Sequence, residues 1–128
     1  MMKKMRRIVS VLLALVLVFG CMVPTFAAEK TDLEKRIDHT AAYLQKTVKE
    51  PQISSVGGEW TIIGLARSGV DIPDTYFKDY YETVLEEVKV KKGVLHSRKY
   101  TEYSRAALAL TAIGADPSDV GGYDLLKP

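Results

Sequence analysis

Polar and aromatic side chains cluster at the starts of two predicted helices. Glu59 and Trp60 open one helix, and a second group precedes or opens the other, namely His96, Lys99, Tyr100, Glu102 and Tyr103. Helix N-termini attract anionic or polar groups, and pockets combine aromatic walls with a few polar groups. We therefore predict these seven residues as ligand contacts. The alternative is that the two glutamates complement the helix dipoles while Trp60 and Tyr103 pack between helices.

The other residues that could do chemistry do not form a catalytic pattern. His96 and Ser97 are adjacent, but adjacent side chains rarely point at each other and no nucleophile elbow surrounds the serine. His39 and His96 lie in different segments and lack the spacing of zinc ligands. We therefore predict no catalytic residue, no metal ligand and no cofactor, and we expect His39 to be a solvated surface histidine.

Two pairs of aspartates follow predicted helix ends. Asp71 and Asp74 come after one glycine, and Asp116 and Asp119 come after another. Aspartate is a favoured N-cap because its carboxylate accepts a hydrogen bond from the free amides of the first helical turn. Capping is therefore the expected role of both pairs.

The first 27 residues have the pattern of a secretory signal peptide. Met1–Arg7 is basic without an acid, Ile8–Gly20 is apolar, and Thr25–Ala27 offers a cleavage site of small residues. Two alternatives stay open. The segment could be an uncleaved membrane anchor, although its apolar part is short for one. The segment ending at Cys21 is also similar to a bacterial lipoprotein box, so lipidation is the second alternative.

Removal of this leader changes the net charge of the protein. The whole chain has 18 basic and 16 acidic residues and a net charge of +2. The leader holds four of the basic residues and none of the acidic ones, so residues 28–128 carry a net charge of −2. A slightly acidic chain without a basic stripe is a poor match for nucleic acid or anionic lipid. We expect no nucleic-acid partner, no membrane span after cleavage, and a secreted or cell-surface location.

The residues after the leader predict four helices in an all-α fold. Amphipathic patterns predict one helix from Asp32 to Lys49, with a capping box at its start, and another from about Asp71 to Val90. The two helices that carry the candidate site, Gly58–Ser68 and Thr101–Ile113, are apolar on most sides. Helices of that kind are expected to be buried all round.

Part of this pattern repeats after 45 residues. Leu65–Asp74 aligns with Leu110–Asp119, with identical leucine, glycine and aspartate positions. Each copy predicts an inner helix, a glycine stop, an Asp-rich turn and an outer helix, and such hairpins stack because one alone cannot bury its faces. Arg67 and Arg105 lie on the inner helices and need carboxylate partners, which the sequence leaves open.

Three segments resemble bacterial secreted proteins of the prenyltransferase and squalene-cyclase-like repeat group. They are GGEWTIIGLARSG at 57–69, KYTEYSRAALAL at 99–110 and DPSDVGGYDLL at 116–126. The resemblance covers nearly all of residues 28–128 and implies an α/α toroid, which in this family is a ring of about six hairpins around a cavity. This chain supplies about two of the hairpins, so we expect a partial toroid, as in a truncated member. Longer members look like surface proteins of Gram-positive bacteria, and cobalamin carriers have a similar toroid.

For enzymes of this fold, the resemblance implies a clustered Asp motif in cyclases and an Asp, Cys and His zinc site in protein prenyltransferases. Neither Asp pair of this sequence reads as the clustered motif, and the tryptophan-rich repeats of cyclases are absent, since Trp60 is the only tryptophan. No cysteine follows the leader, so the zinc site is absent as well. We therefore expect a non-catalytic module that binds a small molecule or protein at the cavity mouth. The alternative is a fragment of such an enzyme whose catalytic residues lie in other hairpins. Two hairpins leave an apolar inner face open, so we also expect self-association.

Overall fold

The computed structural model describes residues 30–127, and the predictions for the signal peptide and Cys21 lie outside these residues. The described chain is all-helical, as predicted, with four helices and no strand. In chain order these are α1 (Asp32–Thr47), α2 (Glu59–Arg67), α3 (Asp74–Val90) and α4 (Tyr100–Ala112).

Helix α1 begins with the predicted capping box. The backbone N–H of Glu34 donates to the Thr31 hydroxyl at 3.3 Å, and the N–H of Thr31 donates to the Glu34 carboxylate at 2.6 Å. These bonds satisfy two amides that have no partner within the helix. The helix ends at Thr47, two residues before the predicted end, and its buried residue Ala41 packs near Leu65.

Helix α3 supplies the centre of the core. Tyr80, Val84 and Val88 are fully buried and recur every four residues, so they lie on one face of the helix. They pack in one cluster with buried residues of α2 and α4 and of the C-terminal segment, namely Ile62, Ala106, Ala109, Leu110, Val120 and Leu125. The core is therefore the place where three helices and the last turns of the chain meet.

Glycines end three of the four helices, as the sequence predicts. Gly69, Gly93 and Gly114 follow α2, α3 and α4 with φ values of 73°, 82° and 81°. A residue with a β-carbon is strained in this left-handed region, whereas glycine is not. The matching geometry at Gly69 and Gly114 agrees with the repeat found in the sequence.

Some predicted helix boundaries are wrong near the turns. Helix α3 begins at Asp74 rather than Asp71, because Pro73 has the extended ψ of 128° and occupies the N-cap position. Helix α4 begins at Tyr100, one residue before Thr101. The second Asp-rich turn is not followed by an outer helix within the described residues. Residues 116–127 form turns that include a bridge between Val120 and Tyr123.

The prediction that α2 and α4 are buried on all sides is also wrong. Trp60 and Leu108 each keep 57% of their surface exposed. Gly64, one turn after Trp60, is exposed and has no atom within 4 Å of where its β-carbon would lie. An apolar side chain becomes buried only where another element covers it, and the described chain leaves this side of both helices open.

None of the helices within residues 30–127 is long and apolar enough to cross a membrane.

Candidate functional site

The starts of α2 and α4 meet, and Ser54 lies between them. Its backbone N–H donates to Glu59 Oε1 at 2.5 Å, and its side chain lies close enough to the Glu102 carboxylate to lower the pKa of that group. Since Glu59 opens α2 and Glu102 lies in the first turn of α4, the two helices pack side by side with their N-termini together.

The loop before α2 sets the position of Ser54. Ser54 has a φ of 58°, which is uncommon for a residue with a side chain. The loop is closed by two bonds of Ser55, whose hydroxyl donates to the Gln52 carbonyl at 2.7 Å and whose carbonyl accepts from the N–H of Gly58 at 3.3 Å. The strained conformation at Ser54 is thus held by the turn around it and by two glutamates.

Glu59 lies in the interior and not at an open cavity mouth. Its side chain is 0% exposed, which is rare for a carboxylate. The Oε1 atom accepts from Ser54, whereas Oε2 has no hydrogen-bond partner. The negative charge also lies at the N-terminus of α2, where the helix dipole favours it. Glu59 therefore organises the end of the helix from within.

Glu102 and Arg105 form the ion pair of this region. Arg105 Nη2 donates to Glu102 Oε2 at 2.6 Å, and both side chains are mostly buried. Glu102 is therefore the carboxylate partner of Arg105 that the sequence leaves open. The Ser54 side chain contributes most to holding the pKa of Glu102 below its ordinary value, and Arg105 acts in the same direction. The carboxylate is therefore ionised here. Arg67, by contrast, is exposed at the end of α2.

Tyr80 adds a third helix to this group. It is fully buried on α3, and the Tyr80 hydroxyl has no hydrogen-bond partner. Burial raises the pKa of the Tyr80 phenol well above its ordinary value, the Glu59 charge raises it further, and the Arg105 charge lowers it. The Tyr80 phenol therefore lies within electrostatic range of both charged groups. We refer to Glu59, Tyr80, Glu102 and Arg105, with Ser54, as the polar centre.

The predicted aromatic residues divide into exposed and buried members. Trp60 and Tyr100 are 57% and 66% exposed, at the ends of α2 and α4 that Ser54 brings together. Tyr103 is buried in the core, with its ring centroid 6.3 Å from that of Tyr100. Lys99 is exposed at the N-cap position of α4. Trp60, Lys99 and Tyr100 are therefore the predicted contacts that a ligand can reach from solvent.

His96 has a local structural role in the segment before α4. Its Nδ1 atom accepts hydrogen bonds from the backbone N–H groups of Arg98 and Lys99, each at 3.1 Å. The ring is half-buried. Through these two bonds, His96 holds the backbone segment that leads into α4.

Two members of the polar centre, Ser54 and Tyr80, are not predicted from the sequence, and the partner of a third, Arg105, is left open there. Ser54 is hard to find because a serine in a loop predicts nothing by itself. Tyr80 lies next to Tyr81, and only the tertiary packing selects which of the two turns inward. The ion pair of Arg105 is easier to predict, since an arginine on an apolar helix needs a carboxylate partner and Glu102 lies three residues earlier.

Three grooves in the described part of the chain lie away from this site, and one of them is formed by α1 alone. One, of about 580 Å³, runs between the start of α3 and the end of α4, and its lining includes Phe77, Tyr81, Asp74, Asp116 and Asp119. Another, of about 380 Å³, is largely apolar and lies between α1 and α2.

The aspartates of the first groove act partly as turn caps. Asp116 Oδ1 accepts from the Ser118 N–H at 2.8 Å and from its hydroxyl at 2.7 Å, which lowers the pKa of Asp116. Asp119 accepts from the Gly122 N–H at 3.0 Å. Asp74, however, makes no capping bond at the start of α3. The capping prediction is therefore confirmed for Asp116 and Asp119, which cap turns, and is wrong for the start of α3, where Pro73 is the N-cap and no side chain caps the helix.

Within residues 30–127, no three acidic, histidine or cysteine side chains are placed to share a metal ion. Comparisons of the chain with protein-family models, curated proteins and solved structures found no match. The resemblance to the prenyltransferase-like group therefore stays a prediction from the sequence.

Proposed function

We propose that this protein is an exported, non-catalytic helical-repeat module that binds a ligand or partner at the cell envelope. The signal-peptide pattern of residues 1–27 supports export, and the repeated segments that end at Gly69 and Gly114 support a repeat architecture of the toroid type. The proposal of a partial ring follows from the sequence resemblance, and it is consistent with two adjacent helices whose N-termini meet.

The exposed aromatic pair is the observation that carries the binding proposal. Trp60 and Tyr100 project from the joined ends of α2 and α4 and leave more than half of their surface in solvent. Tryptophan and tyrosine are enriched among residues that dominate binding energy, because each buries a large rigid surface on contact. Ser54 bonds to Glu59 at the start of α2, and Glu102 pairs with Arg105 on α4, so both aromatic side chains follow helix starts that are tied to buried polar groups.

The chemistry of this end also indicates the kind of ligand. Lys99 is exposed beside Tyr100, and no side chain caps the N-terminus of either helix. The Lys99 ammonium group favours an anionic or polar group, while the aromatic rings favour an apolar or ring-shaped part. We therefore propose a ligand that combines an anionic or polar group with an apolar one.

Sedimentation with purified Gram-positive cell walls tests binding at the envelope. The purified protein is mixed with walls that retain or lack their anionic polymers, and the bound fraction is measured against protein concentration. We expect binding to the intact walls, with a Kd that rises about fivefold or more in Trp60→Ala and in Tyr100→Ala.

Tyr43→Ala is the matched control, because Tyr43 is also 66% exposed but lies on α1. This variant should bind as the original protein does. Equal losses in Tyr43→Ala and Tyr100→Ala would contradict a specific surface at the helix ends. A failure to bind either wall preparation would contradict the proposed ligand location.

Export is tested separately by expressing the full chain in a Gram-positive host. We expect the protein in the extracellular or wall fraction, with Ala28 as its first residue, because the small residues before it suit signal peptidase. A lipid found on Cys21 would show that the chain is processed as a lipoprotein and is not cleaved after Ala27. Recovery of the intact chain from Met1 in the cytoplasm would contradict export.

Self-association is the second part of the partner proposal. Trp60 and Leu108 leave apolar surface exposed on the two adjacent helices, and such surface favours contact with a second molecule. Sedimentation velocity should show a concentration-dependent dimer or larger species, weakened by Leu108→Ser. A strictly monomeric protein with a sharp cooperative melt would argue against an open ring face.

A further inference from the structure

Equivalent positions of α2 and α4 differ in burial. The 45-residue repeat aligns Ile63 with Leu108 and Gly64 with Ala109. Ile63 of α2 and the fully buried Ala109 of α4 pack in the hydrophobic cluster that joins the two helices. Their counterparts are open, since Gly64 is exposed and Leu108 keeps 57% of its surface in solvent. Each helix is therefore covered at the position where the other is open.

The open side of α2 forms one wall of the groove of about 380 Å³ between α1 and α2, which we call the α1/α2 groove. A β-carbon on Gly64 would meet no atom of the described chain within 4 Å, so the groove has room for an apolar side chain. The hydroxyls of Thr40 and Ser68 in its lining already donate to carbonyls four and three residues earlier, at 2.9 and 2.8 Å. The apolar lining consists mainly of Leu33, Ile37, Leu44 and Leu65.

The open side of α4 is a ridge that suits such a groove. Ser104, Leu108 and Thr111 are exposed and recur at spacings of four and three, so they lie on one face, which we call the α4 ridge. The Ser104 hydroxyl donates to the Tyr100 carbonyl at 3.2 Å, and the Thr111 hydroxyl donates to the Ala107 carbonyl at 2.8 Å. Burial of this uncharged ridge would therefore leave neither hydroxyl without an acceptor.

We propose that copies of this chain associate head to tail, with Leu108 of one copy in the α1/α2 groove of the next, beside Gly64. The proposal rests on the self-association part of the proposed function and specifies its geometry. The contact continues the packing of α2 against α4 within the chain, because the repeat makes Leu108 the counterpart of Ile63 and Gly64 the counterpart of Ala109. An apolar helix face that enters an apolar groove is a common mode of recognition.

This geometry determines how association proceeds. The groove and the ridge are different surfaces, and no residue of α4 lines the groove. A copy that has docked through its ridge therefore still offers its own groove to a third copy. Contacts of this kind do not stop at two copies and grow until a ring closes or a filament forms.

Two single variants each block one surface. Gly64→Glu places a carboxylate in the α1/α2 groove, and Leu108→Glu places one on the α4 ridge. Both positions are exposed and glutamate is a good helix former, so both variants should keep the fold, which circular dichroism verifies. The matched control is Val90→Glu, which makes the same change at a side chain that is 72% exposed at the end of α3, outside both surfaces.

Sedimentation velocity over a range of concentrations measures the association. We expect the original protein and Val90→Glu to form species larger than a dimer. Each blocked variant alone should remain monomeric, with a Kd raised about tenfold or more, because docking would bury an unpaired carboxylate. An equimolar mixture of Gly64→Glu and Leu108→Glu should form a one-to-one dimer and nothing larger, since one intact ridge meets one intact groove.

The mixture separates head-to-tail contact from a two-fold dimer. In a two-fold dimer through the α4 ridge, Gly64→Glu would still dimerise and would not recruit Leu108→Glu. That result, a mixture that stays monomeric, or an original protein that stops at the dimer would overturn the head-to-tail geometry while self-association itself stands. A strictly monomeric original protein would overturn both, whereas binding to cell walls is measured separately and does not depend on either.

Discussion

Substitution of Gly58 by alanine should disrupt the polar centre without touching any of its members. A β-carbon on Gly58 would lie inside the van der Waals contact distance of the Gln52 carbonyl oxygen, 2.6 Å from Ser55 Oγ and 3.0 Å from the Gln52 carbonyl carbon. Most of these atoms belong to the backbone and cannot rotate away. The loop must therefore open, and it carries Ser54 away from Glu59.

The expected destabilisation combines two effects. Forcing an extra carbon into a closely packed place costs about 1–3 kcal/mol. Loss of the bond from the Ser54 N–H to the buried Glu59 adds about 1 kcal/mol or more, because the acceptor is charged. The free energy of unfolding should fall by about 3 kcal/mol, which lowers the melting temperature by more than about 10 °C in a domain of this size.

Two other glycines serve as matched controls for the same substitution. Gly64 lies in the middle of α2 with no atom within 4 Å of a new β-carbon. Gly64→Ala should stabilise the protein by about 0.5–1 kcal/mol, because alanine is the better helix former. At Gly57 a β-carbon would make ordinary contact with Val48 at 3.5 Å, so Gly57→Ala should have a small effect.

Urea unfolding followed by circular dichroism measures all three variants on one scale, with the slope m confirming a common unfolded state. Hydrogen exchange at the Ser54 amide shows whether its bond is lost in Gly58→Ala. The reasoning is refuted if Gly58→Ala unfolds at the same urea concentration as Gly57→Ala, or if Gly64→Ala is the more destabilising change.

Three further predictions concern the cap of α1, the ion pair and the core. Thr31→Ala should cost about 1 kcal/mol and speed hydrogen exchange in the first turn of α1, because the capping box is lost; unchanged exchange there would contradict its role. The folded-state pKa of Glu102 is lowered, so its ionised form stabilises the protein above the ordinary glutamate pKa. That stabilisation is lost as the pH falls through the lowered value. Urea midpoints measured across this range should therefore fall less steeply in Glu102→Gln, and an identical acid dependence would count against the assignment. Leu110→Ala should cost about 2–5 kcal/mol because it leaves a cavity in the core. Leu108→Ala, on the exposed side of the same helix, should stay within about 0.5 kcal/mol; similar thermal midpoints for the two would show that α4 is not oriented as described.

Local signals predict the helices of this chain well. The capping box at Thr31 and the glycines after α2, α3 and α4 act through bonds and backbone angles within a few residues, so they can be read without knowing the fold. The start of α3 is less accurate, because both Asp71 and Pro73 suit a helix start and only the backbone angle at Pro73 selects between them.

The candidate site is predicted in part. The convergence of Glu59 and Glu102 at adjacent helix starts follows from the repeat, since equivalent helices in stacked hairpins run in the same direction. Their burial does not follow from it. A glutamate in a first helical turn is usually solvated, and the burial of Glu59 depends on the loop through Ser54 and on Tyr80 from a third helix.

The sequence by itself determined the all-α class, the four helices and the glycine stops, because these depend on periodicity, caps and backbone angles between near neighbours. Only the tertiary structure decided which side of α2 is exposed and which tyrosine of the pair 80 and 81 is buried, because these depend on contacts between residues far apart in the chain. It also decided that Glu59 belongs to an internal polar centre while Trp60, the next residue, faces solvent. Adjacent positions on a helix point about a quarter-turn apart, so the packing of the neighbouring helices assigns them opposite roles.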